Sequence, residues 1–211
     1  MAISGLARRS PKSVGGDWRN WLARTDGVRE VDGSNPLSPT HMTTPQSIKW
    51  QNFHKFQEKP GWCGPAVIQM ILTAAGIEKS QTDIAKNVYK EWWGTPQQII
   101  LAYLSKFFKT VNYKQNATFK DISFHLKKGN FIIVNWWDDL DENNPGGHYS
   151  IVGGYNGQKK IIILVDPSNT RQGIWKHNTS EFNKKWYDTL DTHDRTWVEG
   201  WMLWVDPKSK I

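Results

Sequence analysis

Cysteine is nearly absent from this chain: one thiol, Cys63, in 211 residues. An internal disulfide is therefore excluded, which fits a reducing compartment, and a cytoplasmic location is the expectation. Long apolar runs are missing too. None approaches the roughly 20 residues of a membrane span, and the N-terminus lacks the apolar stretch of roughly 7–15 residues that marks a signal peptide, so no membrane partner is expected. Charge of one sign is not concentrated. The net charge of +7 is spread along the chain without a basic stripe, which argues against a nucleic-acid partner. There is no internal repeat, no calcium-loop spacing and no motif that calls for a metal or cofactor.

What is present falls into two unequal parts. Residues 1–45 hold five of the seven arginines (Arg8, Arg9, Arg19, Arg24, Arg29), one of the twenty lysines and one isoleucine. Without sustained apolar periodicity such a segment cannot build a core, and it reads as a disordered tail. It also reads as a non-native extension. Gly33-Ser34-Asn35-Pro36 is what GGTTCGAATCC plus one nucleotide encodes, a string resembling the T-arm of a transfer-RNA gene, which would make Met42 the true start. Residues 46–211 are long enough for one domain with a good core. The chain's thirteen tryptophans, eleven of them in this part, suit core and groove walls.

In the body, Gly61–Gly76 reads as a helix that is apolar nearly all round and hence buried, with Pro65 in its first turn. Helices are also expected from Asp83 to Trp92 (capped by Ser80 or Thr82), from Gln97 to Phe107 and from Thr118 to Lys128, the last opened by a capping box with Asp121. Strands are expected at Val111–Tyr113, Phe131–Trp137, His148–Tyr155, Lys160–Val165 and Trp197–Val205, with a short helix near Ser180–Trp186 and Gly200 as a bulge. Helices come first and an antiparallel sheet second. The fold class is α+β, a helical half packed on a β half.

The chemistry gathers around Cys63. It opens the buried helix, where free N–H groups and the helix dipole favour a thiolate over a thiol. A lone cysteine is more often an inert core residue, but Gly61 and Gly64 on either side permit close approach of a substrate carbonyl. Gln57, six residues upstream, could donate its amide to an oxyanion, or be a solvated loop residue. Of six histidines, His148 follows Gly146-Gly147 and opens a strand. His54 is its rival near Cys63, His41 lies in the tail, His125 on an amphipathic helix, and His177 and His193 in polar loops. Asp166 ends the next strand. A three-residue loop Asn156-Gly157-Gln158 would set His148 directly opposite Asp166. A two-residue loop would put Asp166 on the wrong face, and a bulge at Gly153-Gly154 would restore the match. Alone, Asp166-Pro167-Ser168-Asn169 reads as a plain turn. The acidic stretch Trp136-Trp137-Asp138-Asp139-Leu140-Asp141-Glu142 reads either as a cleft wall attracting a basic peptide or as a solvated loop.

Together these residues resemble the papain-like cysteine peptidases, nearest to the bacteriocin-processing, double-glycine-leader peptidases and their stand-alone relatives. The resemblance rests on Gln57 and Cys63, the Cys63-Gly64-Pro65-Ala66 helix start, Gly147-His148-Tyr149 and Asp166-Pro167, and spans about residues 50–206. It implies a papain-like fold and peptide-bond hydrolysis through an acyl-enzyme. Cys63 would be the nucleophile, His148 the base and then the acid, Asp166 the orienting residue and Gln57 the oxyanion donor. Trp62, Gly147 and Trp137 would contact the substrate, a peptide or protein. A thiol acyltransferase or amidase would use the same triad, and a peptidase-like domain that only binds peptides is the reading from another class. The oligomeric state has no signature in the sequence.

Overall fold

The computed structural model describes residues 48–91, 93–140, 146–189 and 196–211, all within one compact unit, Thr43–Ile211. The arginine-rich tail, with His41 and Met42, lies outside the described residues, as do Asp141, Glu142 and His193.

The first helix, α1, runs Cys63–Ala74, with Trp62 at its N-cap. Nine of its twelve residues are buried, which explains an apolar run without a polar face: the helix is covered on most sides. Each fully buried Ile or Leu here, such as Ile68, Ile71 and Leu72, contributes about 1.5–3 kcal/mol. Helix α2 (Gln81–Val88) starts at Ser80, whose hydroxyl accepts from the Asp83 N–H. Helix α3 (Gln97–Leu104) follows Pro96 and stops short of the expected Phe107. Strand β1 is Val111–Lys114. Helix α4 (Phe119–Lys127) opens on the capping box expected at Thr118 and Asp121.

The remaining elements are β2 (Phe131–Asp138), β3 (Gly146–Asn156), β4 (Ile161–Val165), β5 (Ile174–Asn178), α5 (Thr179–Lys185), β6 (Tyr187–Thr189), β7 (Trp197–Glu199) and β8 (Met202–Val205). The main sheet has the order β1-β8-β2-β3-β4-β5, with antiparallel pairing throughout. Strands β6 and β7 pair in a small second sheet. The single strand expected over Trp197–Val205 is thus two strands in different sheets. The chain turns between them at Gly200, whose positive φ of 58° a side chain would resist.

Helices cover both faces of the main sheet. The three N-terminal helices form one core with Phe131, Ile133, Ile151, Val165 and Leu203. Residues of α4 and α5, such as Ile122 and Phe182, form the other core with Ile132, Val134, Trp136, Val152 and Leu164. Because both faces of β2 are buried, it reads as an unbroken apolar run rather than an alternating one.

The β3–β4 hairpin decides which residues meet at its open end. Its loop is longer than either length expected. Asn156 pairs with Ile161, so four residues turn the chain. From Tyr155↔Ile162 alone, Asp166 would fall on the face away from His148. A bulge between Val152 and Gly154 shifts the register to Ile151↔Val165. The next residue, Asp166, then continues opposite Ser150, on the same face as His148. The direct His148–Asp166 pairing is replaced by a diagonal one, and the bulge at Gly153-Gly154 supplies the shift of face.

Candidate active site

Helix α1 delivers the thiol. Cys63 is its first residue and is buried, with 8% of its surface exposed. The His148 ring comes from β3, and the Cys63 thiol is near enough to help raise its pKa. The ring's Nε2 bonds Asp166 Oδ1 at 2.8 Å. The structure therefore pairs His148 with Asp166 and sets the Cys63 thiol near that ring, the three residues coming from different elements. Trp136 packs edge-on against the imidazole, 5.5 Å between centroids, and keeps that ring from swinging toward the second core.

Asp166 is fully buried and unusually well supplied with donors. Besides His148, Oδ1 accepts from the Ser168 N–H at 2.9 Å and from Arg171 Nη2 at 3.4 Å. Oδ2 accepts from Arg171 Nε at 2.9 Å and from the Trp175 indole at 3.0 Å. Burial alone would raise the acid's pKa. The charge of His148, the bond to it, Arg171 and the Ser168 N–H reverse that and hold it well below the usual carboxylate range. For His148 burial pulls the pKa down, and the charge and hydrogen bond of Asp166, followed by the thiol, push it above its ordinary value.

Gln57 is half-buried. Its backbone N–H donates to the Pro167 carbonyl at 2.7 Å, so it sits beside the turn that follows Asp166. Its side-chain amide has no protein partner among the described residues. His54, the rival histidine, also lies at this turn. Its Nε2 donates to the Asp166 backbone carbonyl at 2.8 Å, so it supports the chain there rather than facing the carboxylate.

The three residues expected at the substrate surface have distinct settings. Trp62 is buried against Tyr89, with Lys59 Nζ 4.8 Å above its ring. Trp137 stacks on Tyr187 and meets Trp197 edge-on. Gly147 leaves room for a carboxylate: a Cβ there would lie 1.9 Å from Asp188 Oδ2. Gly64 plays a similar packing role. Its Cβ would strike the Thr95 side chain at 2.5 Å, so its smallness serves the helix–loop contact instead of an approaching substrate.

In the acidic stretch Asp138 pairs with Arg171 Nη2 at 2.6 Å and is only 13% exposed. Asp139 pairs with Lys185 and stays about half exposed, as in a solvated loop. Sequence reasoning missed Arg171, Trp175 and Asp188. Arg171 carried one available signal: it is one of only two arginines outside the tail. Among the described residues no group of three or more His, Cys, Asp or Glu side chains is set to hold a metal ion, and no helix is long and apolar enough to cross a membrane.

Residues 46–192 match the Peptidase_C39 like family. The chain belongs to that family. The fold agrees. The peptidase domain of Streptococcus ComA, a bi-functional ABC transporter involved in a quorum-sensing pathway, superposes with a TM-score of 0.53 at 16% identity, covering 72% of this chain and 98% of that one. A putative C39-like peptidase from Bacillus anthracis gives 0.51 at 13% identity, covering 74% and 94%. Among curated proteins none matches this chain in sequence. The chain is thus a cysteine peptidase-like domain with a C39-type α+β fold.

Proposed function

We propose that this C39-like domain hydrolyses peptide bonds through Cys63, His148 and Asp166, with Gln57 in the oxyanion hole. The observation that carries the reading is the His148 ring held by Asp166 at Nε2, with the only thiol in the chain near the same ring. Sγ of Cys63 attacks the peptide carbonyl carbon as its proton passes to Nδ1. The carbonyl oxygen takes the negative charge, stabilised by the Cys63 N–H and the Gln57 amide. The imidazolium then protonates the departing amine as the C–N bond breaks, leaving a thioester. Water attacks that thioester with His148 as base. The acid product departs and the proton returns to sulfur. Asp166 keeps the ring oriented and stabilises its cationic form without taking the proton.

Labelling tests the pair directly. Iodoacetamide should alkylate Cys63 rapidly below pH 7, and His148→Ala should abolish that rapid reaction. A slow reaction with an ordinary thiol pH profile, indifferent to His148, would leave a domain that only binds peptides. With a substrate found from a peptide library, Cys63→Ala should remove turnover without changing the circular-dichroism spectrum. Gln57→Ala should lower kcat about 10²–10³-fold, the usual effect of deleting one oxyanion donor, at unchanged stability. Wild-type kcat in that variant would free Gln57 of its role.

A further inference from the structure

We propose that Arg171 is a positioning residue that shares the Asp166 carboxylate with His148 and so limits how tightly the site holds a proton on the imidazole. The proposal rests on the triad reading above. Its basis is a competition visible in the contacts. Asp166 and Arg171 both address the same nitrogen: His148 Nε2 is 2.8 Å from Asp166 Oδ1 and 3.3 Å from Arg171 Nη2. A proton on Nε2 satisfies the carboxylate but faces the guanidinium donor. A bare Nε2 satisfies the guanidinium but faces the carboxylate. At the same time Arg171 grips Asp166 through Nε at 2.9 Å. A buried carboxylate with histidine as its sole cation would hold an imidazolium too firmly for efficient release of its proton to a leaving amine. Dividing the charge between two cations weakens that hold.

The fork is itself fixed from outside. Arg171 Nη2 pairs with Asp138 at 2.6 Å, at the end of β2, and the guanidinium lies 5.7 Å over the Trp136 ring. Arginine suits this place because its planar fork can serve two carboxylates at once. The charged and titratable groups around His148 come from every neighbouring element. Cys63 comes from α1 and Asp166 from the end of β4. Arg171 lies in the β4–β5 connection, with Asp138 of β2 behind it. His54 reaches the Asp166 carbonyl from the segment before α1. Tyr149 is the next residue of β3. Asp188 of β6 is linked through Asn135, whose amide also donates to the His148 carbonyl. Of these only Arg171 brings a permanent cation to the imidazole edge.

The two partners of Arg171 make opposite predictions, which a merely structural role would not. The readout is the midpoint of the His148 imidazole signal in an NMR titration, in a Cys63→Ala background so that the ring titrates without the thiol. Arg171→Met should raise the midpoint by about one pH unit, because a like charge and a competitor for Asp166 are gone. Arg171→Lys, which returns the charge, should move it back toward the parent value. Asp138→Asn should lower it, because the guanidinium charge is no longer partly neutralised. An unchanged or lowered midpoint in Arg171→Met overturns the proposal. If that variant does not fold, Asp138→Asn decides alone, and an unchanged or raised midpoint there overturns it. Failure of the underlying reading shows separately, as iodoacetamide labelling of Cys63 that ignores His148→Ala in the otherwise unaltered protein.

Discussion

Two aspartates stand near His148, Asp166 fully buried and Asp188 half-buried, and their surroundings are opposite. Asp166 receives hydrogen bonds from four residues, two of them cationic when His148 is protonated. Asp188 receives the Thr189 N–H at 2.7 Å, and no ion pair among the described residues, with Asn135 helping to lower its pKa. The first is held far below the usual range. The second is pushed up to about 6 by burial, with its two donors only partly offsetting the shift. Burial alone is not what sets the state of an acid in this domain. The supply of donors is. The first aspartate is equipped to remain an anion beside an imidazolium, and the second fills the space that Gly147 leaves.

The largest test of this contrast is Asp166→Ala. It should strand Arg171, the Trp175 indole and the Ser168 N–H together, costing about 3–5 kcal/mol of stability in urea unfolding, as for other broken buried pairs. Turnover should fall as well, yet by less than in His148→Ala, because Asp166 orients the ring and does not move the proton. A variant as stable as the parent would mean that the donor network contributes nothing.

A smaller effect is expected on the other side. Gly147→Ala drives a methyl into the Asp188 carboxyl group and should destabilise by about 1–3 kcal/mol, with Asp188→Ala in the same chain relieving most of the loss. An undisturbed Gly147→Ala would show that the carboxylate moves freely. The smallest effect is in the pH profile of stability. For Asp188 the folded state binds the proton more tightly than the unfolded chain, whose pKa is near 3.8. Its contribution therefore declines as pH rises from 3.8 to about 6 and stays lost above. Asp166 has the reverse sign: its contribution is present above the unfolded carboxylate pKa and disappears as pH falls through the folded value. Asp188→Asn should flatten stability between pH 3.8 and about 6 while leaving the acid limb of Asp166 in place.

The sequence was most readable where one local rule acted alone. The α1 apolar run, the Thr118–Asp121 box and the α+β order all followed from residues close in the chain. Legibility failed where two local effects combine. The β3–β4 loop has one residue more than expected and the bulge at Gly153 adds another shift, so only their sum fixes the face of Asp166. Strand β5 was invisible because Ile174-Trp175-Lys176-His177-Asn178 is a short edge strand with polar residues, and its pairing with β4 supplies the order. That also moves His177 from a loop to a strand. The proposed site residues Cys63, His148, Asp166 and Gln57 stand out through their neighbours in sequence. Arg171 could not, since nothing local says that a loop arginine will reach back across β4 and over to β2.

The short stretch leading into the thiol-bearing helix is stapled to the turn after β4 twice: by the Gln57 N–H on the Pro167 carbonyl and by the His54 ring on the Asp166 carbonyl. Those staples tie the segment before Cys63 to the segment that follows Asp166. A clamshell motion would have to tear both.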